Sequence, residues 1–232
     1  MDKQLTERRS FFMKLQMGAA GIAAAFGASA IAQAKPAKSG ARWEPARHEK
    51  DAWYAEIPGK HRFIFDTTTP HGFGEALMFA NNFVIANKNE YGLENTDLAL
   101  IIVARHMSTP FAYNDAIWAK YGARLSSLAS FEDPKGKAPA MKNLFNASGY
   151  GGQLPNRGVT VDQLAKQGVH FAVCSMATRA LSDMVAQPLG ADGAAINGEL
   201  VANLVSNARM VPAGIVAVNR AQEYGYSLVV SA

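Results

Sequence analysis

The sequence predicts an α/β fold: one domain built on a mainly parallel sheet of about five strands, with helices on both faces. Three observations carry this. Runs such as Leu98–Ala104 (LALIIVA) are apolar without alternation, the pattern of strands buried on both faces of a parallel sheet. Stretches with helical apolar spacing separate one such run from the next, and the connections between them are expected to be right-handed crossovers. At 232 residues and 49% hydrophobic, the chain is long and apolar enough for one core of moderate size. The same numbers exclude a disordered chain, a collagen-like repeat and a coiled coil.

Taken in order, residues 35–60 are rich in Pro, Ala and charge without periodicity and read as a linker or arm, with Trp43, Trp53 and Tyr54 available to pin it. The domain itself spans residues 61–232. Arg62–Asp66 is the first strand, and Thr67–Gly72 the turn after it. Phe73, Leu77, Ala80 and Val84 recur at helical spacing. Leu98–Ala104 is the second strand, followed by a helix over Asp115–Tyr121. Residues 130–159 break the rhythm with Pro134, Pro139, Pro155 and the cluster Gly149-Tyr150-Gly151-Gly152, so a long excursion with at most one short helix is expected. A short helix at Val161–Gln167 precedes the third strand, Val169–Cys174. Helices at Met176–Ala186 and Glu199–Asn207, a strand at Arg209–Pro212, a helix at Ile215–Tyr224 and a strand at Tyr226–Val230 complete the chain.

Residues 1–34 have the layout of an export signal. A basic segment ends in Arg8-Arg9-Ser10-Phe11-Phe12-Met13-Lys14, Leu15–Ala34 carry no charge, and Ala32-Gln33-Ala34 supplies a small-x-small cleavage site. The paired arginines followed by two phenylalanines resemble a twin-arginine export signal, which implies a bacterial protein exported already folded to the periplasm. The uncharged span is also long enough for an uncleaved anchor, although Ala and Gly insert weakly. Beyond this signal no membrane contact is expected. The segment holds four of the chain's 23 basic side chains and two of its 19 acidic ones, so it accounts for half of the net charge of +4. No basic stripe with interleaved aromatics follows it, and nucleic-acid binding has no electrostatic support.

In open parallel sheets ligands bind at the carboxyl ends of strands. Three positions qualify: Thr67–His71, Arg105-His106 and Cys174-Ser175. Cys174 is the chain's single cysteine, so it has no internal disulfide partner and builds no Cys-based metal site by itself. At a strand–helix junction its thiol meets the positive end of a helix dipole. Arg179, five residues on, is a candidate source of further positive charge. His106 is a candidate to approach the thiol across adjacent strand ends, as proton acceptor or as a stabilising imidazolium. The plainer alternatives are a small buried apolar Cys174, and Arg105 and His106 satisfying loop carbonyls with Asn114 or Asp115 at a helix start. Thr67–Thr69 with Gly72 and Gly74 fit either an anion site at a helix N-terminus or a capped turn. His71 and His106 are isolated, so no metal site and no cofactor are expected. Gly149–Gly152 lacks the lysine and spacing of a phosphate loop.

The segment His170-Phe171-Ala172-Val173-Cys174-Ser175-Met176-Ala177-Thr178-Arg179-Ala180-Leu181 resembles the strand–Cys–helix unit of the DsrE/DsrF-like proteins. Met210–Ile215 and Arg220–Tyr226 resemble that family's closing strand–helix–strand. The resemblance spans roughly His61–Val230 and is strongest in the last third. It implies a small α/β domain built into homo- or hetero-oligomers, and a persulfide carried on the cysteine that matches Cys174. Two features depart from the best understood relay members, namely the export signal and the 130–159 excursion. The expected function is therefore an exported protein that binds or relays sulfane sulfur through Cys174, with a sulfur donor or acceptor protein as partner. The alternative is a non-catalytic oligomeric module that binds a small molecule or protein and keeps Cys174 buried and inert.

Overall fold

A computed structural model of the chain describes residues 43–232, and the export-signal segment lies outside the described residues. The elements in order are α1 (Trp53–Glu56), β1 (His61–Thr67), α2 (Pro70–Tyr91), β2 (Leu98–Ala104), α3 (Asp115–Ala129), β3 (Glu132–Asp133), β4 (Ala138–Pro139), α4 (Val161–Lys166), β5 (His170–Cys174), α5 (Ser175–Ala186), α6 (Gly193–Ala202), β6 (Ala208–Val211), α7 (Gly214–Glu223) and β7 (Ser227–Ser231). Five strands form one sheet in the order β6-β5-β2-β1-β7, every neighbouring pair parallel. This is the α/β architecture the apolar runs predict. The central strand β2 is buried along its whole length, as a strand covered on both faces must be.

Caps set the helix starts. Thr69 accepts the Gly72 N–H at 2.9 Å, and Pro70 follows it in the first helical turn. Asn114 caps α3, Thr160 caps α4 and Asp192 caps α6. Gly92 ends α2 at φ +65°, a left-handed conformation that costs glycine little.

The two faces of the sheet differ in depth. One carries the larger core, where Phe73, Leu77 and Ala80 of α2, Trp118 of α3 and Val185 of α5 meet Phe65, Ile102 and Phe171. On the other, Ala217, Val218 and Ala221 of α7 cover Ile64, Ile101 and Ala172 together with Trp53 and Tyr54. Helix α7 therefore carries the chain from β6 at one edge back to β7 at the other, where β7 pairs with β1.

Residues 45–57 are more than a linker. Trp53 and Tyr54 are buried, and Asp51 pairs with Arg220 of α7 at 3.3 Å. Arg47 lies over the Tyr224 ring and donates to the Glu223 carbonyl. Trp43 is exposed. The 130–159 excursion is ordered around a two-residue hairpin (β3 and β4), with short 3-10 turns at Leu144–Asn146 and Gly151–Gln153. Phe145 packs into the core with its ring tilted against those of Phe73, Phe111 and Phe131. Buried Asn143 donates to the Phe111 and Tyr113 carbonyls at 2.8 and 3.0 Å. Tyr150 is buried and donates its hydroxyl to Asp133 at 2.7 Å, while Gly149, Gly151 and Gly152 beside it are exposed.

The helix expected at Glu199–Asn207 lies instead at Gly193–Ala202. Asp192 starts it early, and residues 203–205 are drawn off to the 112–114 segment. There the Asn114 N–H donates to the Asn203 carbonyl and the Val205 N–H to the Ala112 carbonyl. These bonds use backbone groups that a longer helix would have needed.

Candidate functional site

The carboxyl ends of β1, β2, β5 and β6 bring the candidate residues together. Asp66 pairs in register with Val103, Val103 with Ala172, and Cys174 with Val211. Side chains alternate along a strand, so Asp66, Val103, Ala172, Cys174 and Val211 share the α7 face. Arg105 follows β2 in extended conformation (φ −134°, ψ 161°). By that alternation it joins the same face, beside Cys174.

Cys174 ends β5 and caps α5. Its Sγ accepts the Ala177 N–H at 3.4 Å, and the residue is 6% exposed. Below it runs a buried hydroxyl chain. Thr178 Oγ1 donates to the Cys174 carbonyl at 3.0 Å and stands 2.9 Å from Tyr113 Oη. Since the threonine proton goes to the carbonyl, the tyrosine donates to the threonine. Burial raises the Tyr113 hydroxyl pKa above its ordinary range, with Cys174 pushing the same way. The hydroxyl is thus a fixed donor rather than an acid.

Arg105 is the cation nearest in register. Its Nε and Nη2 donate to the two carboxylate oxygens of Asp66 at 2.7 and 2.9 Å. Asp66 is buried, while the arginine side chain is 26% exposed. The Asp66 hydrogen bond holds the guanidinium pKa above its usual range, and Cys174 adds a smaller push in that direction. The backbone around it is fixed by Ser108, whose Oγ accepts the Arg105 N–H at 2.9 Å and lies 2.9 Å from Thr67 Oγ1. Across the sheet edge, a cleft of about 330 Å³ is lined by Lys50, Asp51, Trp53, Ser175, Val211 and Pro212. It abuts Cys174 through the next residue in the chain and the register partner.

Among the described residues, the other expected participants make no side-chain hydrogen bond or ion pair with Cys174. His106 is exposed at φ +55° and makes no hydrogen bond or ion pair with Cys174. Arg179 is exposed on α5, and among the described residues its side chain has no hydrogen bond or ion pair. Residues 67–74 form a capped turn. Thr69 takes the Gly72 N–H, and the Ser231 carbonyl sits where a Gly72 side chain would be. A side chain on Gly74 would meet Pro155 and Phe145, so both glycines answer to close packing. His71 lies 3.3 Å from Glu75 one helical turn away. Among the described residues no three His, Cys, Asp or Glu side chains gather to hold a metal ion, and no helix is long and apolar enough to cross a membrane.

Sequence reasoning missed the Arg105–Asp66 pair. The signal was present: single opposite charges close two adjacent apolar runs, Phe63–Phe65 and Leu98–Ala104.

No family model matches the chain, and neither does any curated protein. Among solved structures it is similar to the protein of unknown function MTH1491 from Methanobacterium thermoautotrophicum. The identity is 18% and the TM-score 0.37, over 74% of this chain and 99% of that one.

Proposed function

We propose that this is an exported DsrE-like protein that accepts and passes on sulfane sulfur through Cys174. The observation that supports the reading best is the placement of the single thiol at the carboxyl end of β5, capping α5 and flanked in register by the fixed guanidinium of Arg105. The thiolate is the form that attacks sulfur. In that step the Cys174 sulfur attacks the outer sulfur of a donor such as thiosulfate. The donor's S–S bond breaks, and sulfite leaves with the bonding pair, giving a cysteine persulfide. A partner's thiolate then attacks the outer persulfide sulfur, takes it, and restores the Cys174 thiolate. The leader and its paired arginines support periplasmic delivery, and the family resemblance supports an oligomer with a sulfur donor or acceptor protein.

Intact-mass spectrometry after thiosulfate or polysulfide treatment tests this. A gain of one sulfur atom on the native protein, absent from Cys174→Ser, is expected. No adduct, or an equal one on the variant, overturns it.

The low exposure of Cys174 favours a second reading, a non-catalytic oligomeric binding module with an inert buried thiol. It predicts slow thiol labelling of the native protein and fast labelling once unfolded.

A further inference from the structure

We propose that Arg105 is the specificity-determining residue at Cys174 and selects thiol-directed reagents that carry an anionic group beside the reacting atom. The inference deepens the sulfur-transfer reading and rests on it for the natural donor, though not for the charge preference itself.

Three observations fix the geometry. First, β2 lies between β1 and β5, so Arg105 stands with Asp66 on one side and Cys174 on the other. Second, the guanidinium has little freedom. Asp66 takes Nε and Nη2 at 2.7 and 2.9 Å, and the Arg105 stem packs against Gly214 so closely that a side chain there would come within 2.5 Å of Arg105 Cβ. Third, Nη1 has no hydrogen-bond partner among the described residues, and the side chain is only partly covered. A bidentate carboxylate occupies one edge of the planar fork and leaves the opposite end free to bind a second anion.

The chemistry gives that free end a task. Attack on thiosulfate brings a thiolate up to a dianion, and total charge is unchanged when sulfite departs. Both the incoming sulfonate oxygens and the outgoing sulfite therefore need a donor beside Cys174. A lysine at this position keeps the charge but not the fork.

The test uses two alkylating probes with the same leaving group, iodoacetate (anionic) and iodoacetamide (neutral). Their second-order rates at Cys174 are measured for the native chain, the urea-unfolded chain, R105K and R105Q, with circular dichroism to confirm folding. In the native protein the iodoacetate-to-iodoacetamide ratio is expected to exceed that of the unfolded chain about tenfold, the size of one charge-assisted contact. R105Q should bring the ratio to the unfolded value, the ratio being independent of the thiolate fraction that both probes share, and R105K should fall between. A native ratio equal to the unfolded one overturns the assignment without any variant. So does a preference that R105Q retains, or a native protein that neither probe labels. Sulfur transfer is scored separately. Charge preference without a sulfur adduct from any donor sinks the relay reading and leaves Arg105 standing. An adduct formed equally by wild type and R105Q, with no charge preference, does the reverse.

Discussion

Arg105 meets Asp66 edge to edge, with two parallel N–H···O bonds of 2.7 and 2.9 Å spanning the ends of adjacent strands. The partners are unequal, since the carboxylate is 5% exposed and the guanidinium 26%. Removing either one therefore has a different cost. Arg105→Ala strands a buried charge and is expected to lose about 3 kcal/mol. Asp66→Ala frees an arginine that reaches solvent and is expected to lose roughly 1 kcal/mol. Urea denaturation of both variants and the double variant checks this. Equal losses, or a double variant worse than Arg105→Ala, would contradict the unequal burial.

The hydroxyl chain beneath the thiol makes a graded prediction. Tyr113→Phe removes one donor and should cost about 1 kcal/mol. Thr178→Val leaves the buried tyrosine hydroxyl without its acceptor and removes the side-chain bond to the Cys174 carbonyl, and should cost about 2 kcal/mol. Thermal or urea unfolding that reversed this order would rule out the chain as drawn.

Cys174 is also a helix cap. Serine is a good N-cap and alanine a poor one, so Cys174→Ser should match the wild type within about 0.5 kcal/mol while Cys174→Ala loses about 1 kcal/mol. Chemical denaturation of the pair separates the structural duty of the residue from its chemical one. The serine variant is the sound control for sulfur transfer.

His170 opens β5, and its pKa is held below the ordinary value by burial first and by Arg209 second. The unfolded chain thus takes up a proton near pH 6.5 that the folded one resists. More protons bound in the unfolded state mean stability falls as pH falls. The urea midpoint should drop between pH 7.5 and 5.5, and His170→Asn should flatten that slope. An unchanged slope in the variant would show that another group is responsible.

Gly72 is where α2 crosses the end of β7. A methyl group there collides with the Ser231 carbonyl, so Gly72→Ala should cost about 2–3 kcal/mol by overpacking. Amide exchange should rise first in residues 227–231. A neutral substitution would place β7 elsewhere.

Much of the sheet was legible because its strands are continuous apolar runs, a pattern set by burial on both faces. The strand–Cys174–helix junction was legible for the same reason, and so was the Asn114 cap. Helix α6 was misplaced because its residues, Gly193–Ala202, bury only Ile196 and Leu200. So thin a buried stripe leaves little periodicity, and the start is set by Asp192 instead. The 130–159 segment read as open chain because Phe145, Tyr150 and Leu154 enter the core singly from turns. At the site, local sequence places Cys174 and offers His106, but not Arg105, as a candidate neighbour. The choice between them depends on pairing register and on a carboxylate in another strand, neither of which a local window contains.

The order β6-β5-β2-β1-β7 has a consequence for synthesis. The strand made first is flanked by the strand made last: Phe63 pairs with Ser227 and Thr67 with Ser231. At ordinary translation rates roughly 10–30 s separate the emergence of the two. During that interval β1 has one edge unpaired, and the ribosome still holds the segment that will close it. A chain stopped before Ser227 lacks the strand that covers this edge of β1 and leaves its backbone groups unpaired.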